Sequence, residues 1–372
     1  MENKDGAVLL FADNVRGVGQ IAALDGLRGV AIGLVLLHHC FGPAFSCCWV
    51  GVDLFFVLSG FLITRILAET RSKPGYFLNF FSRRILRIFP LYYMVLLLVF
   101  VLMPLIFPAV ASGYTFLSKN QTWYWTYTEN WMHVRIGWPP GKNIILSHFW
   151  SLAIEEQYYL IWPFIVFLLP LKRLVLIIIS LFLAAIVIRC SGYYHNPGYY
   201  VSTLTRMDSL LAGSLAAVMV RECKSISKRL IWLVCCVSFS SCIAAMVFYR
   251  SAEYDNPFLH TLGYSLFSLC FASFVLIITG GGMKKFTHVF LENKGVCTLG
   301  RYSYGIYVFH FPVFWLLRDP ANTWLSTYIH SVAIIKLTIT GLTLTVTFAM
   351  ALLSFHLVEQ RFLRLKKHFG ST

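Results

Sequence analysis

Two residues set eleven apart, Arg28 and His39, carry the first hint of chemistry in this 372-residue chain, within LDGLRGVAIGLVLLHH (residues 24–39). Eleven helical steps return to nearly the same face, and the rise separates the two side chains by about 16 Å along the axis. The run between them is otherwise apolar, so His39 sits deep in an apolar helix. An imidazole there is costly unless it is paired or lines a cavity, and one held that way can take a proton from a hydroxyl as a general base. The plainer reading is a hydrogen-bonded histidine between packed helices.

Three carboxylates are candidates to orient that imidazole. Asp53 falls in the first turn of GVDLFFVLSGFLIT (51–64), and Glu155 and Glu156 are adjacent in SHFWSLAIEEQYYLIWP (147–163). Adjacent carboxylates leave a helix on different faces and cannot both meet lipid at acceptable cost. Seven or eight residues of rise put the glutamates about 10 Å inside the surface, a depth similar to that of His39 and Asp53. On one helix, His148 and Glu155 would share a face. A carboxylate beside an imidazole fixes its tautomer and stabilises its protonated form. Ser59 and Gly60 read as small residues that allow close helix approach.

Arg83, Arg84 and Arg87 stand in FFSRRILRIFPLYY (80–93). Guanidinium groups grip phosphate in fork geometry, so a phosphate-rich donor such as coenzyme A would be met here; a positively charged membrane anchor is the competing role. Weaker signals are Arg206 and Asp208 in TRMDSLLAGSLAA (205–217), His310 in LGRYSYGIYVFHFPV (299–313), and Glu359 with Arg361 in SFHLVEQRF (354–362). Each could serve as an internal ion pair or a cap.

The elements that must position these residues are apolar helices. The chain is 58% hydrophobic and 13% charged, with a mean hydropathy of +0.69, against about 25% charged in a soluble domain. The expected fold is all-α, a polytopic membrane bundle. Ten apolar spans are long enough, or nearly so, to cross about 30 Å of hydrocarbon. They are 26–46, 49–67, 88–107, 148–169, 174–190, 206–220, 230–249, 259–280, 303–318 and 331–357, the fifth, sixth and ninth being short. The net charge of +15 would suit nucleic acid, but the basic residues gather at the ends of apolar runs, which is a topology signal and argues against that partner. With the N-terminus inside, 22 lysines and arginines lie on the cytoplasmic side against eight outside, so both termini are expected in the cytoplasm.

Residues 1–23 read as a cytoplasmic tail without the continuous apolar core of a cleavable signal, 24–363 as the membrane domain and 364–372 as a short basic cytoplasmic tail. The longest hydrophilic segment, 108–147, falls outside and holds Trp123, Tyr124, Trp125, Tyr127, Trp131 and Trp138. These suit an interfacial belt, or stacking on sugar rings. The ten cysteines show no CxxC and no zinc spacing. No metal and no resident cofactor are expected.

Taken in order, these motifs resemble the acyltransferase-3 family of integral-membrane acyltransferases. The resemblance rests on LDGLRG with its R-x10-H spacing, GVDLFFVLSGFLIT, the arginine cluster before P-x-YY, FWSLAIEEQYYLIWP, the R-x-D-x-LLAG segment, LGRYSYGIYVFH and VEQRF, and runs from about residue 22 to 363. It implies a ten-helix enzyme that moves an acyl group, usually acetyl, from acyl-CoA on the cytoplasmic side to a hydroxyl of a glycan or other acceptor. A cell-surface polysaccharide or lipid-linked glycan is the favoured acceptor. It also implies that His39 is the catalytic histidine with Arg28 its motif partner, that Arg83, Arg84 and Arg87 form the donor-side cluster, and that Glu155 or Glu156 is the acidic site. A bacterial inner membrane is implied as well. Some members carry an outer hydrolase-like domain; its absence from this sequence suggests action alone or with a separate partner. Two alternatives stay open: acylation of a small-molecule or macrolide hydroxyl, and proton-coupled transport. Buried Asp, Glu and His also build proton relays, but no inverted repeat accompanies them here.

Overall fold

The computed structural model describes residues 8–10, 22–108, 112–192, 197–223 and 225–370. Among the described residues ten helices of 16 residues or more form the body. They are α1 (Ala22–Phe41), α2 (Gly51–Thr70), α3 (Tyr76–Leu97), α4 (Trp150–Leu168) and α5 (Leu171–Gly192). The rest are α6 (Thr203–Glu222), α7 (Lys228–Phe248), α8 (Tyr264–Thr279), α9 (Lys294–Ser326) and α10 (Val332–Ser354). Seven of them, with the turns that continue them, are long and apolar enough to cross a membrane. The other three, α4, α6 and α9, carry Glu155 and Glu156, Arg206 and Asp208, and Arg301 with Arg318. Those charges lower their hydropathy.

Helix α3 starts at Tyr76 rather than near residue 88, so the arginine cluster lies inside the helix instead of at its entrance. Arginine is a good helix former, and charge alone does not stop a helix. Helix α9 runs for 33 residues, far beyond the expected 303–318, because its polar first turns continue the same helix. Single helical turns carry the chain from α10 through Glu359 and Leu365 to His368, into the basic tail. Of the expected N-terminal tail, 1–7 and 11–21 lie outside the described residues. Its Val8–Leu10 pairs antiparallel with Ser225–Ser227, Val8 opposite Ser227.

Glycines set how closely the site-bearing helices meet. A Cβ on Gly300 would stand 1.8 Å from the Asp25 carbonyl oxygen, and one on Gly26 would stand 2.1 Å from that of Leu291. Helix α1 therefore lies backbone to backbone against the start of α9. In the same way a Cβ on Gly60 would stand 1.9 Å from Leu210 O and one on Gly213 2.0 Å from Val57 O, which joins α2 to α6. Such small-residue contacts substitute for a hydrophobic driving force between helices in lipid. Gly300→Ala is expected to lower the melting temperature of detergent-purified protein, at an overpacking cost of about 1–3 kcal/mol. Gly341→Ala, with nothing within 4 Å of its Cβ, should leave stability unchanged or raise it, because alanine favours helix by up to about 1 kcal/mol. Equal melting temperatures for the two variants would refute this account.

Between α3 and α4 the chain folds into short helices, Thr115–Lys119, Gln121–Trp125 and Glu129–Ile136, and a 3-10 segment, Gly141–Phe149. They pack down on the bundle through Tyr124 and Tyr127, both buried. The Tyr92 hydroxyl donates to Tyr124 O at 2.8 Å and the Gln157 amide to Tyr127 O at 2.9 Å.

Candidate active site

Two cavities share a wall inside the bundle. Arg28, Arg84, Arg87, Ser59, Glu155 and Tyr159 line the first. His38, His39, His148, Trp49, Trp138 and Trp150 line the second. Val52 and Tyr307 belong to both. The Tyr307 hydroxyl donates to His148 O at 2.8 Å and is hydrogen-bonded to the Ser151 hydroxyl, which fixes this part of the wall.

The two residues of α1 thus fall in different cavities, as their axial separation requires. Arg28 Nη1 pairs with Asp25 Oδ1, one turn earlier, at 2.9 Å. His39 Nδ1 lies 3.0 Å from Val35 O. A carbonyl oxygen only accepts, so Nδ1 carries the hydrogen and Nε2 holds the lone pair. A backbone group, not a carboxylate, sets this tautomer.

The candidate carboxylates are engaged elsewhere. Asp53 is fully buried; Arg206 Nη2 and Ser209 Oγ both donate to its Oδ1 at 2.8 Å, while Oδ2 makes no hydrogen bond. The expectation that Asp53 orients His39 therefore fails, because it lies at the end of α2 that packs on α6, where Arg206 stands. Glu155 Oε1 accepts from Ser59 Oγ at 2.7 Å and faces the arginine cavity. Glu156 does not line it, and its buried Oε1 has no hydrogen-bond partner. His148 does not share a face with Glu155, since it belongs to the 3-10 segment before α4.

The arginine cluster also divides. Arg84 and Arg87, three apart on one face of α3, line the cavity, with Arg84 5.4 Å over the Tyr159 ring. Arg83 turns away and donates to Phe369 O and Gly370 O, 3.2 Å each, holding the C-terminal segment against α3.

Arg206 and Asp208 do not pair with each other. Arg206 takes Asp53 and stacks 4.1 Å over Tyr264, while Asp208 takes Arg189 at 2.9 Å. Arg189 was legible as a lone cation inside an apolar run, and its role follows only from the fold. It also donates to Thr261 O at 2.9 Å and Ser265 Oγ at 2.6 Å. All four charged side chains are fully buried.

The largest feature absent from the sequence reading is a chain of imidazoles. Ring centroids stand 5.0 Å apart for His38 and His39, 5.0 Å for His39 and His310, and 5.1 Å for His310 and His148. The signal was present as the adjacent His38 and His39 of α1 and one histidine in each of two other apolar segments, but nothing local ties the three segments together. Of the six aromatics of segment 108–147, Trp138 lines the histidine cavity and stacks on His133 at 4.8 Å, and Trp131 donates to Gln157 at 3.2 Å. Outside the spanning helices, burial pushes the Glu129 carboxyl well up and the His133 imidazole down to about 4.

The family profile described as an acyltransferase domain matches residues 21–355. A Bacillus subtilis (strain 168) protein, YrhL, named as a candidate peptidoglycan O-acetyltransferase, is 30% identical over 361 residues, 91% of this chain and 54% of its own. The Staphylococcus aureus (strain NCTC 8325) O-acetyltransferase OatA is 27% identical over 310 residues, 79% of this chain and 50% of its own. The Listeria monocytogenes (strain EGD-e) peptidoglycan O-acetyltransferase OatA is 29% identical over 326 residues, 79% and 49%. The chain spans about half the length of these curated relatives. No solved structure matches. The apolar helices make the chain a multi-pass membrane protein, and the profile match over most of its length makes it a member of the acyltransferase-3 family.

Proposed function

We propose that the chain is a membrane O-acyltransferase that moves an acetyl group from acetyl-CoA to a hydroxyl of a cell-envelope glycan, peptidoglycan or its lipid-linked precursor. The two cavities meeting at Val52 and Tyr307 carry this reading. In it, ten helices cross a bacterial inner membrane with both termini in the cytoplasm, and the arginine cavity opens inward. Arg84, Arg87 and Arg28 hold the donor's phosphates by charge-assisted bonds, with Glu155 and Ser59 beside them. The thioester reaches the wall, and the acceptor enters from the histidine side among Trp49, Trp138 and Trp150.

His39 Nε2 removes the hydroxyl proton and the oxygen attacks the thioester carbon. The C–S bond then breaks as the C–O bond is completed, and the proton goes to the leaving thiolate. The names of the Bacillus subtilis and Listeria monocytogenes relatives support the glycan acceptor.

The test is acetyl transfer from acetyl-CoA to purified glycan by protein in liposomes, following thiol release and glycan-bound acetyl. Arg87→Ala is expected to raise KM for acetyl-CoA about 10- to 100-fold, the loss of one hydrogen bond to a charged group. Arg83→Ala should raise it little, because Arg83 holds the C-terminal segment. No acetyl-CoA consumption with any glycan, or equal KM effects for the two arginines, would overturn the assignment.

A further inference from the structure

The wall between the two cavities is thin and mostly apolar. Val52 and Tyr307 line both of its sides, and Phe55, Phe56 and Leu152 continue it within the arginine cavity. Phe56 packs edge-on against Trp150, which lines the histidine cavity, with ring centroids 6.1 Å apart. Val52, Phe56, Leu152 and Tyr307 are all buried. The free space is about 100 Å³ on the arginine side and about 440 Å³ on the histidine side, so the arginine side is the tight one.

The wall has little room to yield. A Cβ on Gly51, the residue before Val52, would stand 2.6 Å from Ala31 O and 3.1 Å from the Val35 side chain. Helix α2 therefore begins in close backbone contact with α1. Val35 lies one turn before His39 on α1 and lines the histidine cavity, so the contact at Gly51 also fixes Val52 relative to His39. On the other side, Tyr307 is held by its bonds to His148 O and the Ser151 hydroxyl, and its ring meets Phe55 edge-on at 6.3 Å. A close-packed interior does not stretch to admit extra methylenes without rotamer and backbone shifts. A wall built this way selects by size.

We infer that Val52 sets the length of the acyl group, with Phe55, Phe56 and Leu152 closing the space around it, so that acetyl is accepted and longer chains are refused. The inference rests on the acyl-transfer reading and adds a donor specificity to it. In that reading the acceptor oxygen bonds the acyl carbon as the C–S bond breaks and the thiolate takes the proton. For this to happen the acyl carbon must stand at the partition, between the arginine cavity and His39. Its methyl then lies against Val52. Each further methylene needs space that the wall already fills, and one misfitting methylene in an apolar pocket is worth about 10- to 200-fold in kcat/KM.

The experiment measures kcat/KM for transfer from acetyl-CoA, propionyl-CoA and butyryl-CoA to purified glycan by the full chain in liposomes, for wild type, Val52→Ala and Val52→Leu. The readout is the ratio between donors on one sample, from which the folded fraction cancels. Wild type should prefer acetyl to butyryl by about tenfold or more. Val52→Ala should raise the butyryl-to-acetyl ratio by about tenfold or more, and Val52→Leu should lower the propionyl-to-acetyl ratio by a similar factor. A packing defect alone would slow all three donors together and leave both ratios where they were. A butyryl-to-acetyl ratio in Val52→Ala within about threefold of wild type, or a wild type that uses butyryl-CoA as well as acetyl-CoA, overturns the assignment while leaving acyl transfer intact. Should Val52→Ala fail to fold, an unchanged propionyl-to-acetyl ratio in Val52→Leu overturns it equally. A wild-type protein that transfers none of the three acyl groups overturns the underlying reading, and the length selection with it.

Discussion

His39→Ala is expected to remove acetyl transfer almost entirely. Loss of a positioned general base costs about 10²–10⁴ in rate, and in the proposed mechanism the same nitrogen also returns the proton to the leaving sulfur. The fold should tolerate the change, since the ring's hydrogen bond to Val35 O lies within its own helix. Rate and melting temperature measured on one purified sample decide the matter. Transfer within tenfold of wild type in a well-folded His39→Ala protein would move the chemistry elsewhere. Loss of rate together with loss of fold would make His39 a packing residue, the plainer of the two readings its position first allowed.

Arg206→Met produces the largest stability effect, and it does so for lack of a partner rather than loss of a contact. It leaves Asp53 as a buried carboxylate whose one neutralising neighbour is gone. Breaking a buried pair from one side costs about 3–5 kcal/mol, whereas replacing both partners with apolar groups is often close to neutral. Asp53→Leu should be as damaging as Arg206→Met, and the double variant should recover most of the lost melting temperature, the non-additivity expected of directly coupled residues. The double variant should also keep most of its kcat, because Asp53 does not reach His39. A double variant as unstable as the singles, or stable but inactive, would return Asp53 to the chemistry.

Among the described residues apolar run length located every long helix, because crossing hydrocarbon demands it and charge is the main thing that interrupts it. The starts of α3 and α9 were misread since arginine and lysine end a hydropathy run without ending a helix. The orientation of Asp53 was misread for a different reason. Depth follows from residue count and rise, but the direction a side chain faces depends on how helices rotate about their axes, and that is fixed by contacts such as Gly60 on Leu210. Asp53 has the depth to reach His39 and the wrong face. The same limit hid the imidazole chain: His39, His148 and His310 come from α1, the segment before α4, and α9, and only tertiary packing joins them. The separate fates of Arg83 and of Arg84 with Arg87 were implicit in helical phase, since a step of about 100° per residue spreads three residues across a helix.

Val52 and Tyr307, the side chains common to both cavities, bear on the bilayer as an insulator. A continuous watery passage from one face to the other would let ions run down the membrane potential, which is worth about 2.3 kcal/mol per charge for each 100 mV. In the proposed reading, two vestibules that meet at one valine and one hydrogen-bonded tyrosine would offer an ion no such route. A small uncharged acyl fragment needs only to change hands at the partition. Under the proposed function the bulky, highly charged donor and the sugar would never need to pass it, so a cell could decorate its exterior from an interior supply without discharging its own battery.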